Sequence, residues 1–192
     1  MSKINHIVRD NYERYTALIE GSKQTSGPGL DLSQTKGDNK VLHACQIPAV
    51  HSDDPIAMWL IAEIRIDRLH DFKFKLRAPT FMGEPLINYD SAGPTHRNEG
   101  ARSLPEQIVT TPHFNRYDQQ GLRIAYKTAA LTDPEVVLEL EDIDRCVIHF
   151  YQETQLTHDP AGYPSISLTA PGTLPFAHHT NADPHAHVVR FV

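Results

Sequence analysis

Two cysteines in 192 residues, Cys45 and Cys146, are too few for a disulfide framework and are not spaced as a zinc pair. Both sit in apolar runs and read as buried thiols of a reduced compartment. Long apolar runs are missing too. No stretch approaches the roughly 20 apolar residues that cross a bilayer. The N-terminal MSKINHIVRDNYERY alternates charge with apolar side chains and has no signal-like apolar core. The expected location is therefore the cytoplasm, with no membrane partner. The chain also lacks a P-loop, a Rossmann glycine fingerprint, H-E-x-x-H and G-x-S-x-G. Those absences argue against the common nucleotide-dependent, zinc-protease and serine-hydrolase classes. No internal repeat is present.

The formal net charge of −6 is unevenly laid out. Residues 65–127 carry ten Lys/Arg against seven Asp/Glu, whereas 128–192 carry only Arg145 and Arg190 against nine acids. This is not the dense basic stripe of a dedicated nucleic-acid binder, so an extended nucleic-acid surface is not expected.

Hydrophobic periodicity predicts an amphipathic helix over 3–20, with Ser2 as cap and Ile4, Val8, Tyr12, Tyr15 and Ile19 on one stripe. Residues 21–39 read as a Gly/Ser/Pro-rich loop, and a first strand as 41–47, ending at Pro48. Strict alternation over 59–67 and 72–77 marks a hairpin with one buried and one wet face. Further strands are expected at 84–90, near 107–117 and at 121–127. Asp133–Pro134 opens a second helix, with Asp133 as N-cap and Val136, Leu140, Ile143, Val147 and Phe150 or Tyr151 facing the core. The fold class is α+β: an N-terminal helix, an antiparallel sheet of about five or six strands, a C-terminal helix packed on the sheet, and an extended Pro/His-rich tail. One domain is expected over 1–156, and an extended or partly disordered arm over 157–192.

Chemistry-bearing residues crowd into 86–127. Alternation puts His113, Asn115 and Tyr117 on one face of a strand, with Phe114 and Arg116 on the other. The turn-rich segment before it places His96, Arg97 and Asn98 on a loop. His96, His113 and Tyr117 suit proton transfer as acid, base and supporting donor. Arg97 and Arg116 suit anchoring of phosphate or carboxylate, with Asn98 and Asn115 as hydrogen-bonding ligands. The same residues also fit the plainer reading of hairpin and turn side chains bonded locally.

Other clusters read as structural. The histidines of 178–187 have metal-ligand types but a Pro-rich scaffold. Cys146 with His149, and His43 with Cys45, read as packing, and Glu139, Glu141, Asp142 and Asp144 as a solvated helix face. No metal or other cofactor is expected.

The run G-P-T-H-R-N-E-G (93–100), followed by T-P-H-F-N-R-Y (111–117), Gly121 and Ala125–Tyr126, resembles an uncharacterised bacterial domain family. That family carries a G-x-x-H-x-N turn followed by a P-H-x-H-x-Y strand. The resemblance covers about residues 56–156 and carries over His96, Asn98, His113 and Tyr117. It departs at Asn115, where the family tends to have a second histidine, and at Glu99. It implies a small α+β domain with a closing helix, associated with mobile elements and without an established activity.

Two functions follow. The first is a binding module whose 86–127 face takes a small phosphate-bearing ligand or docks a partner protein. The second is a metal-independent phosphodiesterase or ribonuclease-like enzyme with histidine acid/base groups and an arginine anion anchor. The enzyme reading requires His96 and His113 to converge within about 4–8 Å around a concave pocket.

Overall fold

A computed structural model describes residues 4–99 and 104–168. The N-terminal helical segment is broken in two. Helix α1 (His6–Asp10) is capped by Asn5, whose Oδ1 accepts the Val8 N–H at 3.2 Å. Helix α2 (Tyr12–Glu20) restarts after Asn11. The break has a local cause: the Asn11 carboxamide turns back to donate to the Ile7 carbonyl at 3.0 Å, in competition with regular helix bonding. The expected cap, Ser2, lies outside the described residues.

The stretch expected as a loop contains β1 (Lys23–Ser26), β2 (Leu30–Asp31) and β3 (Thr35–Lys36). Then come β4 (Asn39–His51), β5 (Met58–Arg65), β6 (Arg68–Arg77), β7 (Ile87–Asp90) and β8 (His96–Arg97). Helix α3 (Leu104–Gln107) leads to β9 (Ile108–Val109), β10 (His113–Tyr117) and β11 (Arg123–Tyr126). Helices α4 (Pro134–Glu139) and α5 (Ile143–Glu153) precede β12 (Leu156–Asp159) and β13 (Ile166–Ser167). Asp133 caps α4 as its position predicts, accepting the Glu135 N–H at 2.9 Å. A second cap, Asp142 on the Asp144 N–H at 2.8 Å, starts α5, so one expected helix is two.

The fold is α+β with a large, mostly antiparallel sheet. Among the described residues nine strands form it, in the order β11–β10–β7–β6–β5–β4–β1–β12, with β3 paired to β4 beside that path. Within it, β1 and β12 run parallel. The sheet therefore exceeds the expected five or six strands. The arm expected after residue 156 contributes its first residues to this sheet as β12, and β13 pairs with β2. Strand β1 escapes a hydrophobicity reading because its inward residues are Lys23 and Thr25, both 1% exposed. They are buried because they are bonded. Lys23 Nζ donates to the carbonyls of Ile19 and Gly21, and Thr25 Oγ1 lies 2.7 Å from Tyr151 Oη and 2.9 Å from His158 Nδ1. Strand β4 passes through Pro48, which lies between its pairings with β3 and with β1, where one flank has no neighbour.

The two faces of the sheet differ. Phe72, Phe74 and Leu76 of β6, Tyr89 of β7 and Phe114 of β10 are fully buried. Phe150 of α5 stacks on Phe114 at 6.0 Å between centroids and lies 5.5 Å from Phe74. Each such ring contributes roughly 1.5–3 kcal/mol on burial. The alternate residues of the same strands, Lys73, Lys75, Asn88, Asp90, His113 and Asn115, point the other way. That polar face positions the candidate site.

Candidate functional site

Register places Asp90, at the end of β7, between Lys73 of β6 and His113 of β10. One row along, Asn88 lies between Lys75 and Asn115. The Asp90 carboxylate organises both rows. Its Oδ1 is 2.8 Å from Lys73 Nζ, and its Oδ2 accepts from Asn115 Nδ2 at 2.7 Å and Asn88 Nδ2 at 2.8 Å. His113 Nε2 lies 3.9 Å from the same oxygen. Arg123 of β11 donates through Nη2 to Asn88 Oδ1 at 2.9 Å.

Above this floor, the segment after β7 carries His96 back over β10. The His96 and His113 rings face each other edge-on, with centroids 6.2 Å apart. They share a cleft of about 180 Å³ with Lys73, Asp90, Thr95 and Arg123. His96 and Arg123 also form one wall of a neighbouring pocket of about 600 Å³, completed by Arg97, Tyr117, Glu84 and the apolar Ile4 and Ile7. The pair thus connects a polar cleft with a roomier, partly apolar pocket.

Burial pushes the His96 imidazole below the ordinary histidine range, and the Arg123 charge pushes the same way, against Asp90. Burial likewise lowers His113, with the Asp90 carboxylate opposing and His96 adding to the depression. Both rings are therefore chiefly neutral near pH 7 and can accept a proton. His113 is only 3% exposed, and the Thr110 backbone beside it opposes the depression.

The predicted residues divide. His96, Arg97, His113 and Tyr117 line the joined cavities, and Asn115 orients Asp90 from below. Asn98 does not reach them with a vacant group. Its carboxamide is spent on backbone, donating to the carbonyls of Glu106 and Ala125 and accepting the Ala125 N–H. Arg116 lies on the opposite face, over the Tyr126 ring at 5.0 Å and 3.8 Å from Glu20. Sequence reasoning missed Asp90, Asn88, Lys73 and Arg123. The alternation in β6 puts Lys73 on the wet face, but only strand order brings the other three beside it.

Among the described residues no group of three or more His, Cys, Asp or Glu side chains is placed to hold a metal ion. None of their helices is long and apolar enough to cross a membrane. The histidines of 178–187 lie outside the described residues.

Fold and site together define an α+β protein with a polar sheet face and a two-histidine cleft lined by cations. Compared with known proteins, the chain matches no protein-family model, no curated protein and no solved structure.

Proposed function

We propose that the protein binds a small organic phosphate in the pocket between Arg97, Tyr117 and Arg123, with the phosphate turned toward the His96–His113 cleft. One observation carries this reading: two imidazoles stand 6.2 Å apart in a cleft flanked by Lys73 and Arg123. Guanidinium and ammonium groups supply the charge for the phosphate, and the apolar side of the larger pocket suits a base or other flat organic body. Isothermal titration with uridine monophosphate tests it. Binding is expected in the micromolar to millimolar range and is weakened at least tenfold in Arg123→Gln. Absence of heat with both the nucleotide and inorganic phosphate defeats the reading.

A second reading, cleavage of a phosphodiester, is favoured by two imidazoles facing one cleft and by the Asp90 carboxylate beside one of them, which supports its protonated form. One neutral imidazole takes the proton of an attacking hydroxyl as its oxygen bonds to phosphorus. The other, in its protonated form, gives a proton to the departing alkoxide as the P–O bond breaks. Turnover of a dinucleotide that is lost in His96→Ala and in His113→Ala, with folding retained, supports this. Equal turnover in both variants removes it.

A further inference from the structure

We infer that the ligand site extends across the polar sheet face as a track for a single-stranded oligonucleotide, an inference that rests on the phosphate-binding reading above. The register lays out the track. Trp59 stands opposite Arg77 on β5 and β6, and Tyr117 stands opposite Arg123 on β10 and β11. These four residues belong to the same sheet face as Lys73, Lys75, Asp90 and His113. Strands about 4.8 Å apart put roughly 19 Å between Trp59 and Arg123. That length suits roughly four nucleotides, the lower end of single-strand site sizes.

A groove of about 610 Å³ lies at the Trp59 end, lined by Lys36, Gln46, Glu63, Lys75, Arg77 and Glu84. Glu84 also lines the pocket holding Tyr117 and Arg123, so groove and pocket adjoin. The charge on this face opposes that of the whole chain. Lys36 and Lys75 both pair with Glu63, at 2.6 and 2.7 Å, and Lys73 pairs with Asp90, so the acids are already outnumbered. Arg77 and Arg123 bond neutral oxygens, Gly83 O and Asn88 Oδ1, and Arg77 Nε is buried without a partner. Lys73, Lys75 and Arg77 recur every second residue along β6, about 6.8 Å apart. Arg77 lies in the row that joins Trp59 to Arg123, and Lys75 and Lys73 extend the basic surface to one side of it. Trp59, half-buried at one end, supplies a flat surface for a base, while Tyr117 at the other end is largely buried against Tyr15 and contributes only to the pocket wall. A basic track with aromatic platforms is how single strands are held without sequence readout. The whole-chain charge hides this, because residues 128–192 carry nine acids and only two bases and so supply the net negative charge.

Trp59 is the sole tryptophan of the chain and reports on its own end of the track. Titration with an eight-nucleotide oligo(U), with uridine monophosphate in parallel, reads emission and affinity together. The octamer is expected to change Trp59 emission and to bind at least tenfold tighter than the mononucleotide. Its log–log salt slope should be about −2 to −3, from three or four phosphates at about −0.7 each. Lys36→Glu, an exposed position remote from the mononucleotide pocket, should weaken the octamer about tenfold and leave the mononucleotide unchanged. An octamer that binds no tighter than the mononucleotide overturns the track and leaves the pocket standing. Silence with both ligands overturns the two readings together. Equal binding of an octaglutamate peptide shows a bare polyanion surface and also overturns the inference.

Discussion

The Asn98 carboxamide closes on the Ala125 backbone from both sides, accepting its N–H at 2.7 Å and donating to its carbonyl at 2.8 Å. It does for edge strand β11 what a neighbouring strand would do, and covers an edge that would otherwise be open to pairing. It also ties down the segment that carries His96 and Arg97 over the cleft. Asn98→Ala leaves two buried backbone groups without partners and should cost about 1–3 kcal/mol in chemical denaturation. Amide exchange at Ala125 should accelerate by more than the global loss of stability. Exchange that merely follows global stability would show that the clasp holds nothing locally.

Tyr15 makes a comparable link inside the core. Its hydroxyl donates to the Leu86 carbonyl at 2.6 Å and accepts the Tyr117 N–H at 2.8 Å, bridging the site strand β10 to the chain entering β7. Tyr15→Phe keeps the ring and its edge contact with Tyr117 but strands both backbone groups. A loss of about 2–4 kcal/mol in urea unfolding is expected, with weaker ligand binding because Tyr117 is released. Loss below about 0.5 kcal/mol would mean that the two groups re-pair directly.

Alternation carried most of what the sequence disclosed. The 59–77 hairpin and the shared face of His113, Asn115 and Tyr117 follow from a period of two, the Asp133 cap from an Asp–Pro start signal, and all stand in the structure. What escaped depends on contacts between distant segments. Strand β1 is polar inward, and its Lys23 and Thr25 are legible as core only once Ile19, Tyr151 and His158 are beside them. Asn98 has the residue type of a ligand contact, but its partners are main-chain groups of Glu106 and Ala125, which residue type does not encode. Asp90 becomes the centre of the site because β7 lies between β6 and β10, a matter of strand order alone.

Lys23 gives stability a pH dependence of definite sign. Burial lowers its ammonium from the ordinary 10.5 to about 8, and the nearby Glu20 charge opposes this. The unfolded chain therefore binds more protons than the folded one between these two values, and this residue makes the protein more stable as pH rises from 8 toward 10. The full window is worth about 3 kcal/mol. Lys23→Met removes that slope, so the difference in unfolding free energy between wild type and variant should change with pH in that window. A difference that stays flat from pH 8 to 10 excludes the depressed ammonium.

The two site histidines should titrate as a coupled pair. Both imidazoles are held below the ordinary 6.5 chiefly by burial, and each feels the opposing Asp90 charge. Folding therefore favours their neutral forms. The unfolded chain takes up protons first as pH falls through 6.5, and the two residues make the folded state progressively less stable toward pH 5. Ligand binding should run the other way, because protonating His96 adds a cation to the wall facing the phosphate. Affinity for the uridine monophosphate dianion, after allowance for the ligand's own second ionisation at about pH 6, is thus expected to rise several-fold from pH 7.5 to 5.5, and Lys73→Gln should leave that rise in place while lowering affinity throughout. Imidazole NMR resolves the pair. His96→Ala should move the His113 titration upward, since a neighbouring ring that lowers it is gone and its surroundings are better hydrated. His113 titrating at or above the ordinary value in the wild type, or an affinity that falls on acidification, would break the link between the two rings and the phosphate site.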